Sequence, residues 1–309
     1  MIALARGASS TTLSVLSAME QRYPTGPLPS NPGRRWLSAL AQTVEETAIR
    51  WEIELGEPFA PGGQCAWVAP ARDRAGQDLV LKVGWRHPEA EHEAEALIHW
   101  DGAGAVRCLR TRRLEESVVL LLERCVPGTA LGAALPEPEQ DGVIAGLLRR
   151  LWGRPLPGRH PFRSLQSMCN AWADEFEASF EADPRGLDPG LARAAIGLLR
   201  ELPAPGADSQ VLLCTDLHAG NVLAARREPW LAIDPKPFVG DPAYDAAQHM
   251  LNCDARLAAD PAGLAGRMAE LLEVDPERVR LWLLARCVQE ALHEPSLREP
   301  ARRLASTMP

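Results

Sequence analysis

The hydrophobic pattern of this 309-residue chain changes character once, near Pro127-Gly128. Before that point apolar residues come in short strand-like runs; after it they recur at helical spacing. Trp51-Glu52-Ile53-Glu54-Leu55 alternates apolar and charged residues, as a half-buried strand does. Gly62 and Gly63 form a turn that leads into a strand over 65–70. The next strand, 78–83, follows the turn around Asp73 and Gly76. The runs 105–109 and 118–123 read as two more strands, the second nearly all apolar and therefore central in its sheet. Residues 91–100 have helical spacing. Trp36, Leu37, Leu40, Val44 and Ala48 share one face of a helix over 34–50. Beyond Pro127-Gly128, helices are expected at 138–152, 162–181, 188–202, 242–257, 261–273 and 276–294, interrupted by strand-like segments only around 211–223 and 230–234. Residues 1–33, rich in Ser, Thr and Pro, read as a loosely ordered arm with a short helix near 11–22. The expected class is α+β: an arm at 1–33, a small antiparallel-sheet lobe at 34–126, and a larger, mostly helical lobe at 127–309.

The composition supports such a core: 46% of residues are hydrophobic and 24% charged. The net charge of −8 disfavours nucleic acid as a partner, since phosphate backbones require a basic face, and suits a cationic small molecule. No run of 18 apolar residues or N-terminal signal pattern occurs, so neither a membrane span nor export is expected. Seven cysteines are scattered without a C-x-x-C pair, which points to reduced core thiols in the cytoplasm and not to a disulfide frame or zinc site. The sequence leaves the oligomeric state open, with a monomer favoured. Of 33 Lys and Arg residues only Lys82 and Lys236 are lysine. In so arginine-rich a chain each lysine carries extra information, because the two cations differ in shape and hydration.

The segment Cys214-Thr215-Asp216-Leu217-His218-Ala219-Gly220-Asn221-Val222-Leu223, with Ile233-Asp234-Pro235 after it, carries the chemistry. An Asp enters a turn at the end of an apolar run, an Asn follows five residues later, and a second Asp ends another apolar run. A buried strand ending in a carboxylate is costly unless that carboxylate has a task. Phosphoryl transfer needs such a set: one carboxylate to orient an acceptor hydroxyl, and an amide oxygen plus a second carboxylate for Mg2+. Lys82, within a strand, suits the phosphates. Of Glu89, Glu91 and Glu93 on the following helix, Glu93 is its expected partner, because it lies one turn before Leu97. His218 reads as a loop-ordering residue, Asp241 as the cap of a helix, and Asp245 as a support beneath the catalytic loop.

Together, Asp216-Leu217-His218-x-x-Asn221-Val222-Leu223, Ile233-Asp234-Pro235 and Gly240-Asp241-Pro242-x-Tyr244-Asp245 resemble the aminoglycoside phosphotransferase superfamily, and within it the streptomycin 6-kinase and hydroxyurea phosphotransferase group. Leu81-Lys82, Leu121-Leu122-Glu123-Arg124 and Glu228-Pro229-Trp230-Leu231-Ala232 agree with that group. The likeness runs from about 35 to about 290. It implies a protein-kinase-like bilobal fold with ATP and Mg2+ as cofactors. Asp216 would be the catalytic base, and Asn221 and Asp234 the metal ligands. Lys82 and Glu93 would form the phosphate-side ion pair. Glu123 and Cys125 would meet adenine through main-chain groups, and Gly62, Gly63 and Gln64 would form the loop over the phosphates. Two features depart from the pattern. Cys214-Thr215 stands where His-Gly is usual, and Gly62-Gly63 is shorter than a full G-x-G-x-x-G clamp.

The acceptor is expected to be a small hydroxyl compound, either an aminoglycoside such as streptomycin or hydroxyurea. For a cationic acceptor the candidate carboxylates are Asp174, Glu175, Asp254, Glu290 and Glu294, each of which also reads as a solvated helix face; Trp172 and Trp282 could stack on a sugar, though such residues are more often core. A kinase of a sugar, amino sugar or amino alcohol is the alternative enzyme, and a nucleotide-binding pseudokinase module the alternative of another class.

Overall fold

The computed structural model of the protein describes residues 32–60, 63, 65–203 and 210–306. The expected arm at 1–33 and its helix near 11–22 lie outside these apart from Pro32 and Gly33, as do Gly62 and Gln64 and the side chain of Glu89. By its contacts the chain divides into two compact units: one runs to Gly102 and resumes at Val106–Cys125, the other comprises Ala103–Ala105 and everything from Val126.

The N-terminal unit is a five-stranded antiparallel sheet with order β1-β2-β3-β5-β4. Its strands are β1 Ile53–Leu55, β2 Ala66–Asp73, β3 Asp78–Trp85, β4 Cys108–Arg113 and β5 Ser117–Glu123. β3 sits in the middle, and the period-2 alternation of a strand puts Leu79, Leu81 and Val83 on one face. There they join Trp36, Leu37, Leu40 and Val44 of helix α1 (Pro32–Trp51) in one buried cluster. Lys82 therefore points to the opposite face, which helix α2 (Glu93–Trp100) serves.

β1 begins only at Ile53, because Trp51 still belongs to α1, and β2 runs on to Asp73; the largest departure is elsewhere. The segment expected as a strand over 105–109 splits. β4 begins at Cys108, whereas Ala105 makes a lone parallel bridge to Ala232. Gly104 O accepts the Ala232 amide at 2.9 Å and Ala105 O accepts from Arg227 at 2.9 Å, which is why 103–105 belong to the C-terminal unit.

That unit holds helices α3 Leu131–Ala134, α4 Glu137–Trp152, α5 Leu165–Ala182, α6 Pro189–Glu201, α7 Ala247–Leu251, α8 Asp254–Ala259, α9 Pro261–Leu272, α10 Pro276–Glu290 and α11 Arg298–Ser306. Among the described residues its strands are two short antiparallel pairs, β6 (Val211–Leu213) with β9 (Phe238–Gly240) and β7 (Val222–Ala224) with β8 (Trp230–Ala232). Gly240 is glycine because helix α5 crosses here: a Cβ would lie 2.4 Å from that of Leu165. The single helix expected over 242–257 is broken into a 3-10 turn (Pro242–Ala246), α7 and α8. The break falls where Asp241, Asp245 and His249 turn inward to polar partners, a tertiary demand that helical periodicity does not register. Helix α10 is fully buried through Val279, Trp282, Leu283, Leu284 and Cys287.

Beneath this unit lies a buried ion network. Asp141 of α4, with its side chain out of solvent, accepts two hydrogen bonds from Arg256 at 2.9 and 2.7 Å and one from Arg267 at 2.7 Å. His249 Nε2 lies 2.9 Å from the same carboxylate. Burial alone would raise Asp141, but these partners outweigh it and hold the carboxyl well below its ordinary range. Cys253 comes close enough for Asp141, His249 and Cys253 to resemble a metal-binding trio. Two guanidiniums on the carboxylate oppose a cation there, and burial pushes the Cys253 thiol up to about 12, far from the thiolate a metal needs.

Candidate active site

In the N-terminal unit the site centres on Lys82. Its Nζ donates to both carboxylate oxygens of Glu93, at 2.7 and 2.8 Å, and the two side chains are 11% and 7% exposed. So buried a pair stands only because each charge has the other. Glu93 opens α2, where a carboxylate also meets the positive end of the helix dipole. It shares a buried helical face with Ala96, Leu97 and Trp100, whereas Glu91 lies 3.7 Å from Arg113. Of the expected phosphate loop only Gly63 is described, and it is exposed. The Glu123 amide donates to Arg107 O at 2.9 Å and its carboxylate accepts the Arg107 amide at 3.1 Å. That reciprocal clasp removes the Glu123 N–H as an adenine donor. Cys125 is buried.

In the C-terminal unit the strand pairing builds the loop. Leu213 faces Phe238 across β6 and β9, and Val222 faces Ala232 across β7 and β8. The segments 214–221 and 233–237 are therefore adjacent: the Ile233 amide donates to Asn221 O at 2.9 Å and the Lys236 amide to Cys214 O at 3.0 Å. Asp216, at the first turn, is 18% exposed. Asn221 Nδ2 donates to Asp216 O at 3.0 Å, which leaves the amide oxygen as the hard donor of that side chain. Asp234 is exposed and its φ is 53°, the left-handed region a non-glycine residue adopts at some cost.

The loop rests on Asp245, whose side chain is out of solvent. It accepts from the Cys214 amide at 3.0 Å, the Thr215 amide at 2.6 Å and the Trp152 indole at 2.9 Å. Burial raises its carboxyl to about 6, against the pull of these donors. Thr215 has φ 53°, an outlier for a β-branched residue at a position where the resemblance expects glycine. Two bonds hold it there, its amide to Asp245 and its hydroxyl to Lys236 O. His218 accepts the Gly220 amide on Nδ1 at 3.2 Å. Burial lowers its pKa, partly opposed by Asp216, so it orders the loop as a neutral imidazole. A Cβ on Gly220 would lie 2.8 Å from His218 Cε1, so a larger residue there would push the imidazole aside. Asp241 caps the 3-10 turn through Ala243 N at 3.0 Å and also accepts from Arg278 and from the Trp282 indole at 2.8 Å.

The acceptor candidates are less concentrated. Asp174 accepts from Arg200 at 3.0 Å and Glu290 lies 2.9 Å from Arg286; Glu175, Asp254 and Glu294 are exposed on their helices or flanking turns. Of the two aromatic candidates, Trp282 takes the core reading. Trp282 is wholly buried, with Tyr244 edge-on at 5.0 Å, and cannot stack on a sugar. Trp172 already has the Arg286 guanidinium 4.4 Å over its ring. Trp152 and Arg278 escaped the reading of the sequence, since they take their partners from residues far along the chain. Lys236 and Thr215 each carried a signal there, rarity for the one and the departure from His-Gly for the other, but no role.

Residues 50–295 match the aminoglycoside/hydroxyurea antibiotic resistance kinase family. The chain belongs to that family. It is 34% identical to a streptomycin 6-kinase of Streptomyces griseus, over 84% of this chain and 84% of that one. It is 35% identical to a hydroxyurea phosphotransferase of Kitasatospora aureofaciens, over 85% and 75%. Among solved structures it resembles an aminoglycoside phosphotransferase from Streptomyces rimosus in complex with ADP and streptomycin. The TM-score is 0.55 at 19% identity, covering 82% of this chain and 98% of that one. The fold is thus the protein-kinase-like fold of the aminoglycoside phosphotransferases, and the chain is a phosphotransferase of this resistance-kinase family.

Proposed function

We propose that this resistance kinase transfers the γ-phosphoryl group of ATP to a hydroxyl of an aminoglycoside such as streptomycin, or to that of hydroxyurea, and so inactivates the drug in the cytoplasm. The activities named for the two relatives support this reading. The observation that carries it is the pair of tied loops presenting Asp216, the Asn221 amide oxygen and Asp234 from one rigid support. The bond from the acceptor oxygen to phosphorus forms, the bond from phosphorus to the β,γ-bridging oxygen breaks, and ADP leaves. Asp216 takes the hydroxyl proton. Lys82, fixed by Glu93, meets the phosphates, and main chain at Glu123–Cys125 meets adenine. Asn221 and Asp234 form a hard-oxygen donor set that fits Mg2+, which when bound would offset phosphate charge. For a cationic acceptor Asp174, Glu175, Asp254 and Glu290 are the proposed carboxylates, two of them shared with arginines.

The test is an ADP-release assay with Mg-ATP across streptomycin, other aminoglycosides, hydroxyurea and amino sugars. Turnover with streptomycin or hydroxyurea is expected. Turnover with amino sugars alone would replace the resistance reading by a metabolic one, and tight ATP binding without any turnover would leave a nucleotide-binding module. Asp216→Asn should reduce kcat by about 10³-fold or more with ATP affinity nearly unchanged; an active Asp216→Asn enzyme would overturn the base assignment.

A further inference from the structure

The second lysine is unaccounted for by the roles above. Lys236 Nζ lies 3.0 Å from Asp216 Oδ2, with the lysine side chain 35% exposed and the aspartate 18%. Its main chain is fastened independently: its amide donates to Cys214 O at 3.0 Å, its carbonyl accepts the Thr215 hydroxyl, and it stands between Pro235 and Pro237. Proline fixes its own φ and restricts the residue before it, so this stretch is stiff. The backbone of Lys236 therefore contributes the structural links to the catalytic loop, and its ammonium is delivered to Asp216 from a rigid base.

We infer that Lys236 is a positioning residue for Asp216, holding one carboxylate oxygen and screening the carboxylate's charge from the incoming phosphoryl group. This rests on the phosphotransferase reading of the same site. Asp216 and Asp234 both belong to the two adjoining loops, and a phosphoryl group arriving there is itself anionic. A carboxylate that must lie beside it acts better with a cation alongside. Lysine suits the task better than arginine. A guanidinium tends to clamp both oxygens of a carboxylate, whereas an ammonium is a point charge that occupies one and leaves the other to accept the hydroxyl proton. The composition agrees. Only two of the 33 Lys and Arg residues are lysine, and they are the one on Glu93 and the one on Asp216.

The experiment is a double-mutant cycle on the full chain. Wild type, Lys236→Met, Lys236→Arg, Asp216→Asn and Asp216→Asn/Lys236→Met are compared with streptomycin or hydroxyurea, whichever wild type phosphorylates. Lys236→Met should lower kcat about 100-fold and change either KM less than about threefold. Lys236→Arg should remain within about tenfold of wild type. In the Asp216→Asn background the methionine should cost less than about threefold more, since a residue that acts through Asp216 has little left to act on. Melting temperature and Mg-ADP binding should match wild type. A Lys236→Met enzyme within threefold of wild type would overturn the inference, as would full additivity in the cycle. If Lys236→Met does not fold, the cycle is run with Lys236→Gln under the same criteria. Failure of wild type to phosphorylate any acceptor would instead break the functional reading, which keeps the two outcomes apart.

Discussion

Asp141 and Asp245 are both carboxylates with no exposure, both in the C-terminal unit, and their surroundings push them in opposite directions. Asp141 faces two guanidiniums and an imidazole and is held below its ordinary range. Asp245 faces two backbone amides and an indole, all neutral, and burial raises it to about 6. Charged partners compensate desolvation; neutral donors do so only in part. The difference matches their positions. Asp141 ties α4 to α8 and α9, far along the chain, whereas Asp245 holds the main chain immediately before Asp216. One carboxylate serves the stability of the unit, the other the geometry of the loop.

That contrast can be broken. Asp141→Asn leaves Arg256 and Arg267 facing a neutral group and should cost about 3 kcal/mol of stability at neutral pH, near the low end for a broken buried ion pair because both arginines reach solvent. Chemical denaturation at fixed pH measures it, and kcat of the remaining folded enzyme should change little. Asp245→Asn should cost about 2 kcal/mol, since an amide cannot accept from all three donors and turns its own N–H groups toward them. Its larger effect should be on kcat, about tenfold to a hundredfold, through a loosened Asp216.

The pH dependence sharpens the same comparison. The folded pKa of Asp141 is depressed, so its contribution is present above about pH 4 and lost as pH falls. The cost of Asp141→Asn should therefore shrink in acid. The folded pKa of Asp245, about 6, lies above its ordinary 3.8, so its contribution is full below about pH 4 and lost as pH rises to about 6. The cost of Asp245→Asn should be greatest in acid and fall toward neutrality. Melting curves of the three proteins from about pH 2 to pH 7 check both signs, the window below pH 4 for Asp141 and that above it for Asp245, and parallel curves would show that the two carboxylates do not differ.

Smaller effects follow. Thr215→Val keeps the strained φ and the side-chain shape but loses the hydroxyl bond to Lys236 O, and should cost about 1 kcal/mol with a measurable fall in kcat. Arg200→Ala removes surface pairs to Asp174 and Glu177; exposed pairs of this kind should change stability by about 0.5 kcal/mol or less, which sets the background for the others.

Much of this architecture was legible because it is local. Short apolar runs bounded by turn residues mark β2, β3 and β5, and apolar residues at helical spacing mark α4, α6 and α10, since each must bury apolar surface wherever it packs. The helical phase shared with Leu97 singled out Glu93 beside Lys82. The order Asp216, Asn221, Asp234 likewise lies in the chain, with the short strands around it visible as apolar runs. The broken helix at 242–257 and the polar partners of Trp282 and Trp172 were not legible. Each depends on a partner distant along the chain: Asp245 on Trp152 and Cys214, Trp282 on Asp241, Trp172 on Arg286. Residue order alone thus names the reaction's groups, because covalent spacing and periodicity are carried within a few residues. Which of those groups are held, screened or raised in pKa is settled by packing, because burial and the nearness of a charge arise only when remote segments meet. Lys236 shows both halves: its rarity stands in the sequence, and its contact with Asp216 exists only in the fold.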